Sequence, residues 1–307
     1  MIINKDEVCI LIPTLNEDLT IGEIIHEFKE LGYSHILVVD GNSTDNTDKI
    51  SRESGATVHT QTGMGKGNAI IEAFEIIEQP YILMLDGDGT YSPKDAEKML
   101  TPLFSGFDQV IGDRLINAEE GSFSRLNLFG NHMVNYLFKV AHSRDLHDIL
   151  SGYRAFTRTA IHQMNLKQKG FEIETEISVE SVRIGQRVMV VPVTYSRRPG
   201  TTTKLSPFHD GFKIVSTIYR LARVNNPLFY FGMIGIFTSF LGIITGIYVL
   251  HEWFQGIDHI PLTILTVLLI VVGIEIFMFG MISDMLLIFH RETIREIQIL
   301  QGQRPPK

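Results

Sequence analysis

The chain has 307 residues and a single cysteine, Cys9. One thiol cannot close an internal disulfide, so nothing points to an oxidising compartment. Within its apolar run Cys9 reads as a small core residue. Positive charge is scarce: 27 Lys and Arg stand against 35 Asp and Glu, a formal net charge of −8. That balance argues against non-specific nucleic-acid binding, and no nucleic-acid partner is expected. No long apolar stretch opens the chain, so no secretory signal is expected. The most extreme absence lies towards the C-terminus, where no Lys or Arg occurs between Val224 and His290.

Two long apolar runs fill that interval. Leu228–Leu250 carries no charge and is long enough, at 1.5 Å per residue, to cross a bilayer core. Leu262–Phe289 is a second such run, interrupted by Glu275 and Asp284. Two buried helices of a soluble protein are the alternative, and the lengths disfavour it. Arg197, Arg198, Lys204, Lys213, Arg220 and Arg223 precede the first run, Arg291 and Arg295 follow the second, and the loop His251–Pro261 has neither Lys nor Arg. The expectation is an integral membrane protein whose large N-terminal part and both termini are cytoplasmic. Gly232, Gly235, Ser239, Gly242 and Gly246 share one helix face, which permits close packing, and Gly273 and Gly280 offer a matching surface. Glu275 sits where charge is costly and is expected inside a helix bundle. A homo-oligomer through the transmembrane helices is one use for it; a lipid or ion path is another.

Ser206–Val224 has Phe208, Phe212, Val215, Tyr219 and Ala222 on one stripe, beside Lys213, Arg220 and Arg223. It reads as an amphipathic helix at the bilayer interface, with an ordinary surface helix as the alternative. Before it, the first 112 residues alternate strand and helix signals. Strands are expected at Val8–Ile12, Ile36–Val39, Ala56–His59, Tyr81–Leu85 and Val110–Gly112, with helical segments between them. This is the pattern of an α/β fold with a mainly parallel sheet and helices on both faces.

The first four of these strands end in polar, ligand-type residues. The ends are Pro13-Thr14-Leu15-Asn16-Glu17, Asp40-Gly41-Asn42-Ser43-Thr44-Asp45, Gly63-Met64-Gly65-Lys66-Gly67 and Asp86-Gly87-Asp88. Strand ends at one sheet edge make a nucleotide site. Two carboxylates one residue apart suit a hard divalent cation that also takes phosphate oxygens. Taken singly, each end also has a turn or cap explanation, and the spacing around Lys66 is not that of a P-loop.

The order Pro13-Thr14-x-Asn16-Glu17, Val39-Asp40-Gly41-x-Ser43-x-Asp45, Gly65-Lys66-Gly67 and Asp86-x-Asp88 resembles family 2 glycosyltransferases of the GT-A fold. Gly112-Asp113-Arg114, Asp148 to Arg154 and the stretch from Arg198 to Lys204-Leu205 resemble the dolichyl-phosphate mannose synthase branch, including archaeal dolichyl-phosphate sugar transferases. The resemblance covers about residues 8–205. It implies a GT-A catalytic part over 1–205, followed by the interfacial helix (206–224), a transmembrane hairpin (225–290) and a tail (291–307). It implies donor contacts from Pro13, Thr14, Asn16, Glu17, Asp40, Asp45, Lys66 and Asp86. It implies Mg²⁺ or Mn²⁺ on Asp86 and Asp88, and acceptor-phosphate contacts from Arg114, Ser151, Arg154, Arg198 and Lys204. Asp88, Arg114 and Arg198 are the implied catalytic residues. Among Glu172, Glu174 and Glu176, Glu176 fits the family pattern best as an orienter of sugar hydroxyls.

The expected reaction is inverting transfer of one sugar from a nucleotide sugar, UDP- or GDP-linked, to dolichyl or another polyprenyl phosphate at the cytoplasmic membrane face. The chain departs from the pattern in two places. Thr90 stands where relatives often carry a metal-binding Gln. Gly200 falls one place early, leaving Arg197 and Arg198 as rivals for one phosphate role. A processive polysaccharide synthase is a weaker reading, because the only Trp, Trp253, lies in the predicted outer loop. A non-catalytic scaffold or lipid-carrier subunit is disfavoured by intact Asp86, Asp88 and Arg114.

Overall fold

The computed structural model describes residues 3–200, 211–219 and 226–300. Lys204 and most of the expected interfacial helix, 206–210 and 220–224, lie outside the described residues, as does 301–307. The chain divides into two compact units, one spanning 3–139 and 143–218, the other 140–142 and 219 onward.

The first unit is built on a seven-stranded sheet in the order β3-β2-β1-β4-β6-β5-β7. Its strands are β1 (Val8–Thr14), β2 (His35–Asp40), β3 (Thr57–Thr60), β4 (Tyr81–Met84), β5 (Gln109–Ala118), β6 (Arg154–Thr157) and β7 (Val188–Tyr195). All pairings are parallel except those of β6, which runs antiparallel between β4 and β5. The helices are α1 (Ile21–Glu30), α2 (Thr47–Glu53), α3 (Lys66–Ile76), α4 (Ala96–Phe104), α5 (Arg125–His142), α6 (Arg158–His162) and α7 (Ile173–Arg183), with α8 over residues 211–219.

The central strands are apolar throughout because both faces are covered. On β1, Val8, Ile10 and Ile12 enter a core with Ile21, Ile25 and Phe28 of α1 and Leu100 of α4. The intervening Cys9 and Leu11 enter a second core with Ile70 and Phe74 of α3 and Ile177 of α7. Period-two alternation thus feeds two helix layers from one strand. Cys9 is buried, and burial pushes its thiol up to about 12.

The second unit is a hairpin of two apolar helices, α9 (Pro227–Phe254) and α10 (Ile260–Leu300). Both are long and apolar enough to cross a membrane, α9 over its whole length and α10 over Ile260–His290. The glycines hold them close. A Cβ on Gly235 would lie 3.0 Å from the Cβ of Phe277, and one on Gly242 would lie 2.7 Å from Ile270 Cγ1. Gly273 is seated on Ser239 and Gly235, so the small-residue face of α9 is matched within the chain. Glu275 is exposed on the hairpin: it lies two residues from Gly273 in sequence but not on the packed face.

Candidate active site

The parallel strands deliver their C-terminal ends to one edge. Thr14 pairs with Asp40, Asp40 with Thr60, and Leu11 with Met84, so the residues that follow each strand meet there. A cavity of about 440 Å³ opens at that edge, within the first unit.

One end of the cavity is lined by Pro13, Thr14, Glu17, Gly41 and Gln61. Beneath them Asp40 is buried, and its Oδ2 accepts from the Ser43 N–H at 2.9 Å. Asp40 Oδ1, Thr14 Oγ1 and Gln61 Oε1 are buried without a hydrogen-bond partner. Three unsatisfied polar atoms at adjacent strand ends call for an explanation.

Asn16 and Asp45 do a different job. Asn16 adopts φ +53°, donates its N–H to Ser43 Oγ and accepts from the Thr44 N–H, both at 2.8 Å. Asp45 accepts from the Thr47 hydroxyl at 2.6 Å and from the Thr47 and Asp18 N–H groups. Burial alone would raise the Asp45 carboxyl, but the Thr47 and Asp18 hydrogen bonds outweigh it and hold it below the usual carboxylate range. These two residues latch the β1 and β2 loops together; neither lines the cavity.

In the middle stand Asp86, Asp88, Lys66 and Glu174. Lys66, at the start of α3, places Nζ 2.5 Å from Asp86 Oδ1 and 2.5 Å from Glu174 Oε1. Burial works to lower the Lys66 pKa, yet the two carboxylates overcome it and push it up, so the ammonium is permanent. Gly65 and Gly67 serve backbone crossing: a side chain on either would strike the carbonyls of Lys169 or Gln168. Gly152 lies beneath Asp86, where a Cβ would come within 2.5 Å of the carboxylate. Asp88 Oδ1 accepts from the Thr90 hydroxyl at 2.6 Å, so Thr90 orients this carboxylate. Two carboxylates that line one cavity fit a hard cation whose remaining ligands are water and donor oxygens.

At the far side Arg114 forks onto Asp148, with Nε and Nη2 each 2.7 Å from a carboxylate oxygen. Its guanidinium lies 5.4 Å from the Tyr195 ring centroid and 5.6 Å from that of Phe123. Burial opposes the charge, but Asp148 raises the Arg114 pKa well above its ordinary value. Arg198 joins the two ends, with Nη2 2.5 Å from Glu17 Oε1 and Nη1 3.5 Å from Asp88 Oδ2. Arg197 is exposed and does not line the cavity, whereas Arg198 does.

The remaining expected residues fall elsewhere. Arg154 is fully buried and bonds the carbonyls of Ile149, Ser151 and Glu174 and the Ser178 hydroxyl. Burial lowers its pKa to about 10 against the pull of Glu174 and Asp148. Ser151 is buried beside it, and neither lines the cavity. Both hold the loop carrying Asp148 and Leu150. Glu174, and not Glu176, reaches the cavity; Glu176 accepts from the Lys167 and Gln168 N–H groups at 2.8 Å. Successive glutamates two apart on a helix point to different sides, so only one could enter.

The Glycosyl transferase family 2 model matches residues 9–164. The chain belongs to this family. It is a glycosyltransferase, 46% identical over 299 residues to "Glycosyltransferase AglJ" of Haloferax volcanii, covering 96% of this chain and 99% of that one. It is 30% identical to the "Dolichyl-phosphate hexose transferase" of the same organism, over 70% of this chain and 94% of the other. Among solved structures, glucosyl-3-phosphoglycerate synthase from Mycobacterium tuberculosis, in complex with Mn²⁺, UDP and glucosyl-3-phosphoglycerate, superposes with a TM-score of 0.59 at 20% identity. That alignment covers 70% of this chain and 79% of the other, and it bears on the GT-A-like fold alone.

Gln61, Asp148 and Tyr195 are site residues to which the sequence assigned no role. Asp148 carried a signal within Asp148-Ile149-Leu150-Ser151-Gly152-Tyr153-Arg154; Gln61 and Tyr195 carried none beyond following or ending a strand.

Proposed function

We propose that this glycosyltransferase moves one sugar from a nucleotide sugar to a polyprenyl phosphate of the dolichyl type, inverting the anomeric carbon, at the cytoplasmic face of a membrane. The observation that carries the reading is the division of one cavity: unsatisfied polar atoms at the ends of β1–β3, carboxylates in the middle, and the buried Arg114 opposite. The names of the two Haloferax relatives, and of the "Polyprenol monophosphomannose synthase" of Mycolicibacterium smegmatis, 26% identical over 70% of this chain, support it.

Thr14, Asp40 and Gln61 bind the nucleoside, which satisfies their lone polar atoms. Asp86 and Asp88 hold a divalent cation, Mg²⁺ or Mn²⁺; when bound, it neutralises charge developing on the leaving diphosphate. Lys66 and Arg198 add fixed positive charge along the same path. Glu174 accepts from sugar hydroxyls. Arg114, fixed by Asp148 and Tyr195, takes the acceptor phosphate. A phosphate is already anionic near neutral pH, so its oxygen attacks without a strong general base. Attack from the side opposite the diphosphate inverts the sugar carbon. The expected domain organisation is retained as part of this reading, with the α9–α10 hairpin spanning the bilayer. Asn16 and Asp45 shape the donor loops, Ser151 and Arg154 the acceptor loop, and Lys204 is proposed to reach the acceptor phosphate.

The test is transfer of labelled sugar from a panel of UDP- and GDP-sugars to dolichyl phosphate by the full chain in lipid. Transfer should need Mg²⁺ or Mn²⁺, stop with excess EDTA, and fall at least a hundredfold in Asp88→Asn while folding is kept. Near-normal turnover in Asp88→Asn would refute the metal assignment. No labelled lipid from any donor would refute the acceptor.

A further inference from the structure

Tyr91 stands three residues beyond Asp88 and takes no part in the chemistry above. It is 3% exposed and does not line the cavity. A buried tyrosine needs a partner for its polar tip. Here the hydroxyl oxygen accepts from the Gly152 N–H at 2.9 Å, across 61 residues of chain. Gly152 is the residue on which Asp86 rests: a Cβ there would lie 2.5 Å from Asp86 Oδ2. The seat of Gly152 therefore limits how deep the Asp86 carboxylate can sit, and the Tyr91 hydroxyl holds that seat.

The ring of the same residue reaches the other end of the cavity. Its centroid lies 5.2 Å from that of Tyr195 and 5.2 Å from that of Tyr153. Tyr195 is the ring beside which the Arg114 guanidinium lies at 5.4 Å. The backbone repeats the connection. Tyr91 and Tyr195 form an isolated antiparallel bridge, and the Ser196 N–H donates to the Thr90 carbonyl at 2.8 Å. The segment that follows the two carboxylates is thus stitched to the end of β7. Burial is the main cause that pushes the Tyr91 phenol above its ordinary value; Arg114 pulls it down, and Asp86 and Asp148 add to the rise. The hydroxyl stays protonated, within the fields of groups from both ends.

We infer that Tyr91 is a positioning residue that sets the gap between the two ends of the cavity, placing Asp86 through Gly152 and Arg114 through Tyr195. The inference rests on the reading above, in which Asp86 serves the donor and Arg114 the acceptor. Transfer between two bound substrates depends steeply on that gap, since a misplacement of about 1 Å can cost about a hundredfold in rate. Either substrate can still bind when the gap is wrong. The hydroxyl arm therefore belongs to kcat, whereas the ring arm, which supports Arg114, also bears on acceptor binding.

The test compares Tyr91→Phe and Tyr91→Leu with the wild-type full chain in lipid, by initial rates, calorimetry and hydrogen exchange. Tyr91→Phe keeps the ring and loses only the acceptor for Gly152. It should lower kcat at least tenfold and leave both KM values within twofold. Tyr91→Leu should lower kcat as well and raise the acceptor KM severalfold. If Tyr91→Phe works through Gly152, its loss and that of Gly152→Ala should combine to much less than their product. Peptides carrying Gly152 and Asp86 should exchange at least fivefold faster in Tyr91→Phe. A kcat in Tyr91→Phe within twofold of wild type overturns the inference, and so do multiplicative losses with Gly152→Ala. A fall in Tm with kcat per folded molecule unchanged also overturns it, in favour of packing alone. A wild type that makes no labelled lipid counts against the proposed acceptor, and the exchange data, which need no turnover, then decide: unchanged exchange at Gly152 and Asp86 overturns the inference, and faster exchange supports it.

Discussion

Replacing Lys66 with Met removes the cation shared by Asp86 and Glu174. Both contacts are 2.5 Å, and the side chains retain 15% (Lys66), 27% (Asp86) and 4% (Glu174) of their exposure. Removing one partner of a buried ion pair costs about 3–5 kcal/mol. The residual exposure of Lys66 and Asp86 places this case near the lower end, at about 3 kcal/mol after solvent screening. For a unit of about 200 residues that lowers Tm by about 6–12 °C. The pH dependence has a definite sign. The folded Lys66 pKa is raised, so its contribution is complete below its ordinary value of 10.5 and is lost only as pH rises through the higher folded value. The wild type therefore keeps the full benefit at pH 7. In Lys66→Met, the neighbouring carboxylates of Asp86 and Glu174 lack their shared cation. The double variant Lys66→Met/Glu174→Gln should recover most of the Tm at pH 7. Calorimetry of the detergent-solubilised chain measures all three. A single variant within 2 °C of wild type, or no recovery of Tm in the double variant, would refute the claim that these ion pairs hold the cavity.

Two further outcomes are expected. Gly152→Ala puts a Cβ within 2.5 Å of the Asp86 carboxylate and should lower kcat more than tenfold with little loss of Tm; initial rates near wild type would mean that Asp86 can shift without consequence. Because Arg198 bridges Glu17 and Asp88, Arg198→Ala should weaken nucleotide-sugar binding severalfold as well as slow turnover, while Arg197→Ala stays near wild type. Titration calorimetry with donor separates the two, and unchanged donor affinity in Arg198→Ala would assign the residue to the acceptor alone.

The strand-end motifs were legible because a parallel sheet aligns its C-terminal ends whatever the helices do. Pro13, Asp40, Lys66 and Asp86 needed only that alignment to be brought together. Arg154 was misleading for a physical reason. An arginine in a Ser-Gly-Tyr-Arg turn resembles a phosphate ligand, yet on the central strand β6 its side chain can only run inward to carbonyls. Glu174 and Glu176 could not be separated before the start of α7 was known, since one residue of phase decides which enters the cavity. Gln61 and Tyr195 take their roles from neighbours distant in sequence, Gly41 and Arg114, which no local pattern records.

The place of β6 governs how the chain is made as well as how it stands. β4 and β5 are joined by one short helix, but they are not neighbours; the slot between them is filled by a strand that follows α5. A ribosome that has released Met84 must add about 70 more residues before Arg154 appears, roughly 4–14 s at ~5–20 residues per second. Throughout that interval the apolar edge Ile82–Met84 has no partner on one side, and an open edge of that kind is a template for intermolecular pairing. A translational stall or premature stop between β5 and β6 would therefore release a half-sheet with its seam open. Nascent chains of this protein should depend on chaperone shielding most strongly in that window, and lose the dependence once Thr157 has emerged.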